Sequence, residues 1–213
     1  MISSLASNIS SEAIAELPLI HFSGKIIVVD SMPLLQDAIR FITRNPVLGF
    51  DTETKPSFRK GQNNKVAMLQ LSSHDTCYIF RLNKIGFTDE LVHLLSNNSV
   101  LKIGLSLKDD FRELLKLKHF HPYGFVDLQK YAETFSITDK SLKKLAALVL
   151  GHRISKSQQT SNWESAKLTE AQLIYAATDA WVCLEIYKHL KEIERTMNTL
   201  PANEKIPDIS HHK

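Results

Sequence analysis

Residues 48–56 read "LGFDTETKP", and every other segment of this chain is interpreted against them. An apolar run ends in two carboxylates, Asp51 and Glu53, two positions apart. Side chains on a strand alternate faces, so i and i+2 point the same way. The two carboxylates then stand side by side, and like charges that close oppose each other's ionisation unless a cation sits between them. The pair is either solvated at a strand end or half of a metal site. A buried run followed by D-x-E has no structural need for two carboxylates.

The flanking segments supply a layered fold. "KIIVVD" (25–30) is a β-branched strand. It is followed by a helical stripe at Leu34, Leu35, Ala38, Ile39, Phe41 and Ile42. After "VLGFDTET" comes a Pro-, Gly- and Asn-rich loop, "KPSFRKGQNNK". Strands "VAMLQLSS" and "TCYIF" then bracket a turn at Ser73 to Asp75. "TDELVHLLSNN" predicts a helix capped at Thr88 or Asp89. "VLKIGL" is a buried strand, and "SLKDDFRELLKLK" is an amphipathic helix. "FVDLQKYAETF" is a short strand running into a helix, and "SLKKLAALVLG" is a helix that stops at Gly151. Two helices are expected from Leu168 to about Met197, joined or kinked near Thr178–Asp179. Strands crowd the first half and helices the second, which is an α/β layer arrangement.

The chain has 213 residues, enough for one domain with a sizeable core. Its net charge of +3 is compatible with a polyanionic partner without requiring one. Cys77 and Cys183 lie far apart in apolar runs and read as small core residues. No disulfide framework is implied, which suits a reducing compartment, the cytoplasm if the source is bacterial. The N-terminus has no basic region and carries two glutamates, so it does not read as a signal peptide. No apolar run approaches the roughly eighteen residues of a membrane span, so no membrane partner is expected. His119 and His121 alternate without a third ligand nearby, and no zinc site is expected there.

Two further acidic positions stand among apolar residues, Asp110 in "KIGLSLKDDFREL" and Asp179 in "IYAATDAW". Each has a plain structural reading. Asp109 and Asp110 suit the first turn of a helix, where the dipole favours negative charge. Asp179 suits an N-cap, and Tyr175 suits a core with its hydroxyl at the surface. Together they allow a different reading. Tyr175 and Asp179 are four residues apart and share a helix face. Two-metal phosphodiester hydrolysis needs several carboxylates on rigid elements around divalent ions, and Mg²⁺ and Mn²⁺ prefer such oxygen ligands.

"FDTET", "KIGLSLKDDFREL" and "YAATD" resemble, in order and spacing, the three motifs of the DEDD 3′–5′ exonucleases. The tyrosine variant (DEDDy) fits Tyr175-x-x-x-Asp179, in the subgroup of ribonuclease D and the Werner syndrome helicase exonuclease domain. "VAMLQLSS", "VDLQKYAETF", "SLKKLAALVLG" and the lead-in from Lys156 to Trp163 resemble that subgroup too. The resemblance implies a ribonuclease H-like α/β fold, a central mixed β-sheet flanked by α-helices. It implies an exonuclease domain, taken as residues 23–197; the Ser-rich, weakly patterned residues 1–22 are expected to be a loose or partly helical lead-in, and the tail (198–213) to be disordered. Two Mg²⁺ or Mn²⁺ ions would be held by Asp51, Glu53, Asp110 and Asp179, with Asp51 bridging both. Glu53 and Asp179 would serve the water-activating ion and Asp110 the second, and Tyr175 would hold the nucleophilic water. The substrate would be the 3′ end of DNA or RNA, and the products nucleoside 5′-monophosphates. Relatives often carry Asn or His just after the second-motif glycine, where this chain has Leu105 and Ser106. That departure alters 3′-end contacts without removing a metal ligand.

Around these residues, Gln70 is a candidate nucleotide contact, or it satisfies a backbone group. Lys55, Arg59, Lys60 and Lys65 form either a solvated loop or a phosphate-tracking lip. Lys156 is a candidate phosphate partner. Trp163 is a candidate substrate contact or a packing anchor. The competing functional reading is a catalytically silent nucleic-acid-binding module on the same fold. A third is a protein-interaction domain.

Overall fold

A computed structural model describes residues 5–57 and 64–199. Its centre is one six-stranded mixed sheet, as the sequence predicts. The strands are β1 (Lys25–Val29), β2 (Val47–Thr54), β3 (Val66–Ser72), β4 (Thr76–Phe80), β5 (Leu101–Gly104) and β6 (Phe125–Asp127), in the order β1-β4-β3-β2-β5-β6. β3 runs antiparallel to β2 and β4, and the other pairs are parallel. Every residue of β3 is buried, as a central strand covered on both faces should be.

The helices are α1 (Ser11–Ala15), α2 (Met32–Ile42), α3 (Leu82–Ile85), α4 (Asp89–Leu95), α5 (Leu107–Leu115), α6 (Leu128–Glu133), α7 (Leu142–Leu145) and α8 (Glu170–Thr199). On one face of the sheet, Leu48, Phe50, Leu69, Leu71 and Phe80 share a core with Leu35, Ala38 and Ile42 of α2 and Leu91, Leu94 and Leu95 of α4. Thr88 caps α4, its hydroxyl accepting from Leu91 N–H. The other face carries Gly49, Asp51 and Glu53, in register with Ser72, Gln70 and Met68. α8 lies across it, its Ala176, Ala177 and Ala180 fully buried. Small side chains let helix and sheet approach closely. At Gly49 a Cβ would sit 1.8 Å from the Ala180 carbonyl oxygen, so only glycine fits.

Three expectations change. α8 is a single helix of 30 residues, not two joined at Thr178–Asp179. Thr178 spends its hydroxyl inside the helix, donating to the Ile174 carbonyl (2.7 Å) and accepting from Phe22 N–H (3.0 Å). Packing on the sheet outweighs the weak local propensity of Thr and Asp. The lead-in, expected to be loose or partly helical, carries the short helix α1 and is tied down rather than loose. Ile14 and Phe22 are buried, Ile20 N–H donates to the Arg153 carbonyl, and Arg153 N–H donates to that of Pro18. α7 continues into a π-helical turn, Ala146–Leu150, before stopping at Gly151 (φ +66°), the expected left-handed terminator. Of the expected disordered tail, residues 198–199 complete α8, and 200–213 lie outside the described residues. Among the described residues no helix is long and apolar enough to cross a membrane. Cys77 and Cys183 are buried free thiols.

Candidate active site

Strand alternation turns Asp51 and Glu53 to the face that α8 covers, and the Gly49–Ala180 contact brings Asp179 down beside them. Carboxylate oxygens of Asp51, Glu53 and Asp179 lie within 4.8 Å of one another. Thr52, between the two β2 acids, points to the opposite face, where its hydroxyl donates to the Asp110 carboxylate on α5. The end of β2 is thereby bracketed by an acid from each flanking helix. The two aspartates of α5 part company. Asp109 is exposed and pairs with Arg112 (2.8 Å), whereas Asp110 is partly buried against Thr52.

The electrostatics follow from burying three acids together with a fourth, Asp110, at their flank. Burial pushes Asp51 well above the ordinary carboxylate range, and Glu53, Asp179 and Asp110 push it further. Burial raises Glu53 to about 9, helped by Asp179 and Asp110. Asp179 rises to about 7 by burial, against a hydrogen bond from Tyr175 and the charge of Lys156. Asp110 rises to about 6 by burial, against the Thr52 hydrogen bond. Burial and the neighbouring Asp179 and Glu53 also hold the Tyr175 phenol protonated, so it is a donor at neutral pH. A cluster of hard oxygen donors that repel one another is the set that a divalent ion completes. These residues fit Mg²⁺ or Mn²⁺.

Asp127 is a positioning residue that the motif reading passed over. Ser106, which opens α5, has left-handed backbone (φ 57°, ψ 40°) and makes no side-chain cap. Asp127, at the end of β6, caps for it. Its carboxylate accepts from Ser106 N–H (3.2 Å) and Leu107 N–H (3.1 Å), and also from Gln129 N–H (2.9 Å) at the start of α6. One side chain thus fixes the starts of two helices, one of which carries Asp110. The signal in the sequence was an Asp between a short strand and a helix, an ordinary N-cap. Gly49 and Thr52 were likewise in view inside the opening motif, but their roles depend on partners distant in the chain.

Beside Asp179 and Tyr175 opens a cleft of about 460 Å³, lined also by Leu105, Gln129, Lys140, Lys143 and Lys156. Lys140 is paired with Glu133 (2.7 Å). Of the expected substrate contacts, Lys156 lies on this cleft. Lys55 instead reaches Glu164 (3.2 Å), tying the loop after β2 to the segment before α8. Gln70 and Trp163 are fully buried and offer a nucleotide no surface, which corrects the expectation of direct contact. Trp163 packs against Tyr175, ring centroids 5.9 Å apart, as an anchor behind that ring. Arg59 and Lys60 of the expected phosphate lip lie outside the described residues.

A family model described as 3′–5′ exonuclease matches residues 26–194. The chain is 34% identical over 202 residues to the bifunctional 3′–5′ exonuclease/ATP-dependent helicase WRN of Mus musculus, covering 88% of this chain and 14% of that protein. It therefore spans a small part of that relative's length. The Nibbler EXO domain of Aedes aegypti superposes with a TM-score of 0.74 at 25% identity, over 84% of this chain and 92% of that one. Escherichia coli RNase D superposes with a TM-score of 0.70 at 22% identity, over 84% of this chain and 47% of that one, a likeness of fold.

Proposed function

The chain belongs to the DEDD 3′–5′ exonuclease family, with its ribonuclease H-like fold, and from that premise we propose that it removes nucleoside 5′-monophosphates from the 3′ ends of nucleic acid by a two-metal-ion mechanism. The observation that carries this reading is the convergence of the Asp51, Glu53 and Asp179 carboxylates within 4.8 Å, with Asp110 on the other flank. Two divalent ions, when bound, would polarise the attacking water and offset charge at the phosphorus and the leaving oxygen. Asp51 would be shared between them. Glu53 and Asp179 would hold the ion on the α8 side, and Asp110 the other.

Tyr175 supplies the remaining polar group. Its hydroxyl lies on the same cleft as Asp179 and stays protonated, which suits it to orient the attacking water. Water attacks the phosphorus, and the bond to the 3′-oxygen of the penultimate nucleotide breaks. That oxygen takes a proton and remains on the shortened strand as its new 3′-hydroxyl. The 5′-phosphate leaves with the terminal nucleoside. Lys156 and Lys143, on the walls of the cleft, are suited to phosphate oxygens of the entering strand.

The test is release of label from 3′-labelled DNA and RNA oligonucleotides in Mg²⁺, Mn²⁺ and EDTA, with Asp51→Ala alongside. Release in metal, none in EDTA and none from a folded Asp51→Ala is the expected result. Removing one of several crowded like charges should leave the metal-free thermal midpoint of Asp51→Ala equal to or above the parent's. An Asp51→Ala protein that degrades either polymer at the parent rate would refute the assignment. Tight, metal-independent binding without cleavage by the parent would favour the silent module.

A further inference from the structure

Gln70 lies in β3 directly opposite Asp51 of β2, and none of its surface reaches solvent. Directly opposed residues of antiparallel strands share a face, with Cβ atoms about 4.5–5.5 Å apart. Both ends of the Gln70 amide, Nε2 and Oε1, lack a hydrogen-bond partner among the described residues. Buried polar groups are almost always satisfied, so a glutamine orphaned at both ends calls for a physical reason.

The surroundings narrow that reason. The β3 backbone is laddered on both sides, to β2 and to β4, so it has little to offer a side chain. Above the strand runs α8, whose interior backbone groups are spent within the helix. Two hydroxyls of this buried face are engaged, Ser72 with the Ser73 carbonyl and Thr178 with the Ile174 carbonyl. The group directly across the ladder with acceptor capacity to spare is the Asp51 carboxylate. The other positions of β3 from Val66 to Leu71 are all apolar. An apolar residue at position 70 would fill the same space without burying an amide, so stability alone gives no account of a glutamine there.

We infer that Gln70 is a positioning residue for Asp51, its amide N–H donating to the carboxylate when that carboxylate holds an ion and fixing its orientation. The inference rests on the two-ion reading of the site. Gln70 then acts through Asp51 and never touches the substrate, consistent with its complete burial. Outer partners of this kind are typically worth 10–100-fold in metal affinity.

The test uses Gln70→Met, which keeps the volume and removes the amide, and titrates Mn²⁺ by calorimetry into the protein without nucleic acid. A Mn²⁺ affinity about 10–100-fold weaker than the parent's, with a thermal midpoint in EDTA no lower than the parent's, is the expected result. An affinity within about twofold of the parent's, well short of that range, would overturn the inference, whatever happens to the midpoint. Should Gln70→Met fail to fold, the parent decides alone. Adding Mg²⁺ should move the Gln70 side-chain amide resonances, and resonances that stay in place overturn the inference. A parent that binds no Mn²⁺ overturns the two-ion reading and this inference with it. A parent that binds, beside a variant that binds equally, overturns this inference only.

Discussion

Gly49→Ala would test whether the approach of α8 to β2 builds the site. Gly49 has no positive φ, so alanine can adopt its backbone conformation without strain, and the effect is purely steric. The added Cβ would lie 1.8 Å from the Ala180 carbonyl oxygen, 2.7 Å from its carbon and 3.3 Å from Leu184 Cβ. Two of these contacts are to helix backbone, which has no rotamer to change. α8 must retreat by roughly 1 Å, and Asp179, the residue before Ala180, retreats with it. A misplacement of about 1 Å is worth on the order of 10²-fold in rate. Overpacking of this kind typically costs about 1–3 kcal/mol, and each kcal/mol lowers the thermal midpoint by about 2–4 °C in a protein of this size. The assay pairs kcat on a 3′-labelled oligonucleotide at saturating Mg²⁺ with thermal melting. Gly86→Ala is the control. It is strained by a φ of +75° but meets nothing within 4 Å, so it should lose stability and keep kcat. A Gly49→Ala protein with the parent's kcat and midpoint would refute the idea that this contact sets the position of Asp179.

Three other outcomes are expected. Asp109→Asn should be near neutral, because Asp109 is an exposed partner of Arg112, while Asp110→Asn should be severely impaired; kinetics of the two variants side by side would expose a register error of one residue. Tyr175→Phe keeps the ring against Trp163 and loses the hydroxyl, so kcat should fall about 10²–10⁴-fold with KM and Mn²⁺ affinity held; a loss of metal binding instead would make Tyr175 structural. In EDTA the protein should melt at a higher temperature at pH 5.5 than at pH 8. Asp110, Asp179 and Glu53 have folded values of about 6, about 7 and about 9, all above their ordinary ones, so between roughly pH 4 and 9 the folded state binds more protons than the unfolded state, and stability falls as pH rises. Mg²⁺ at pH 8 should reverse that loss, and a flat metal-free profile would contradict the crowding of the acids.

Local chemistry made much of this protein legible in one dimension. D-x-E at the end of an apolar run puts two carboxylates on one strand face, because side chains alternate along a strand. Tyr175 and Asp179 share a helix face because they are four residues apart. Thr88 and Gly151 terminate helices for reasons contained in a few neighbouring residues. What the chain could not show was where these pieces meet. Thr178–Asp179 reads locally as a break, and it becomes mid-helix because Thr178 bonds back to Ile174 and α8 is held along the sheet. The N-terminal segment reads as loose until Phe22 and Ile20 find Thr178 and Arg153. Gln70 reads as a nucleotide contact or as the partner of a backbone group until the ladder turns it inward beneath α8, where neither amide atom meets a partner among the described residues. Periodicity and capping depend on residues a few positions apart, which a sequence displays directly. Strand order, the closeness of Gly49 to Ala180, and the gathering of Asp51, Glu53 and Asp179 into one pocket with Asp110 at its flank depend on contacts between segments far apart in the chain, and packing of the whole core selects among those.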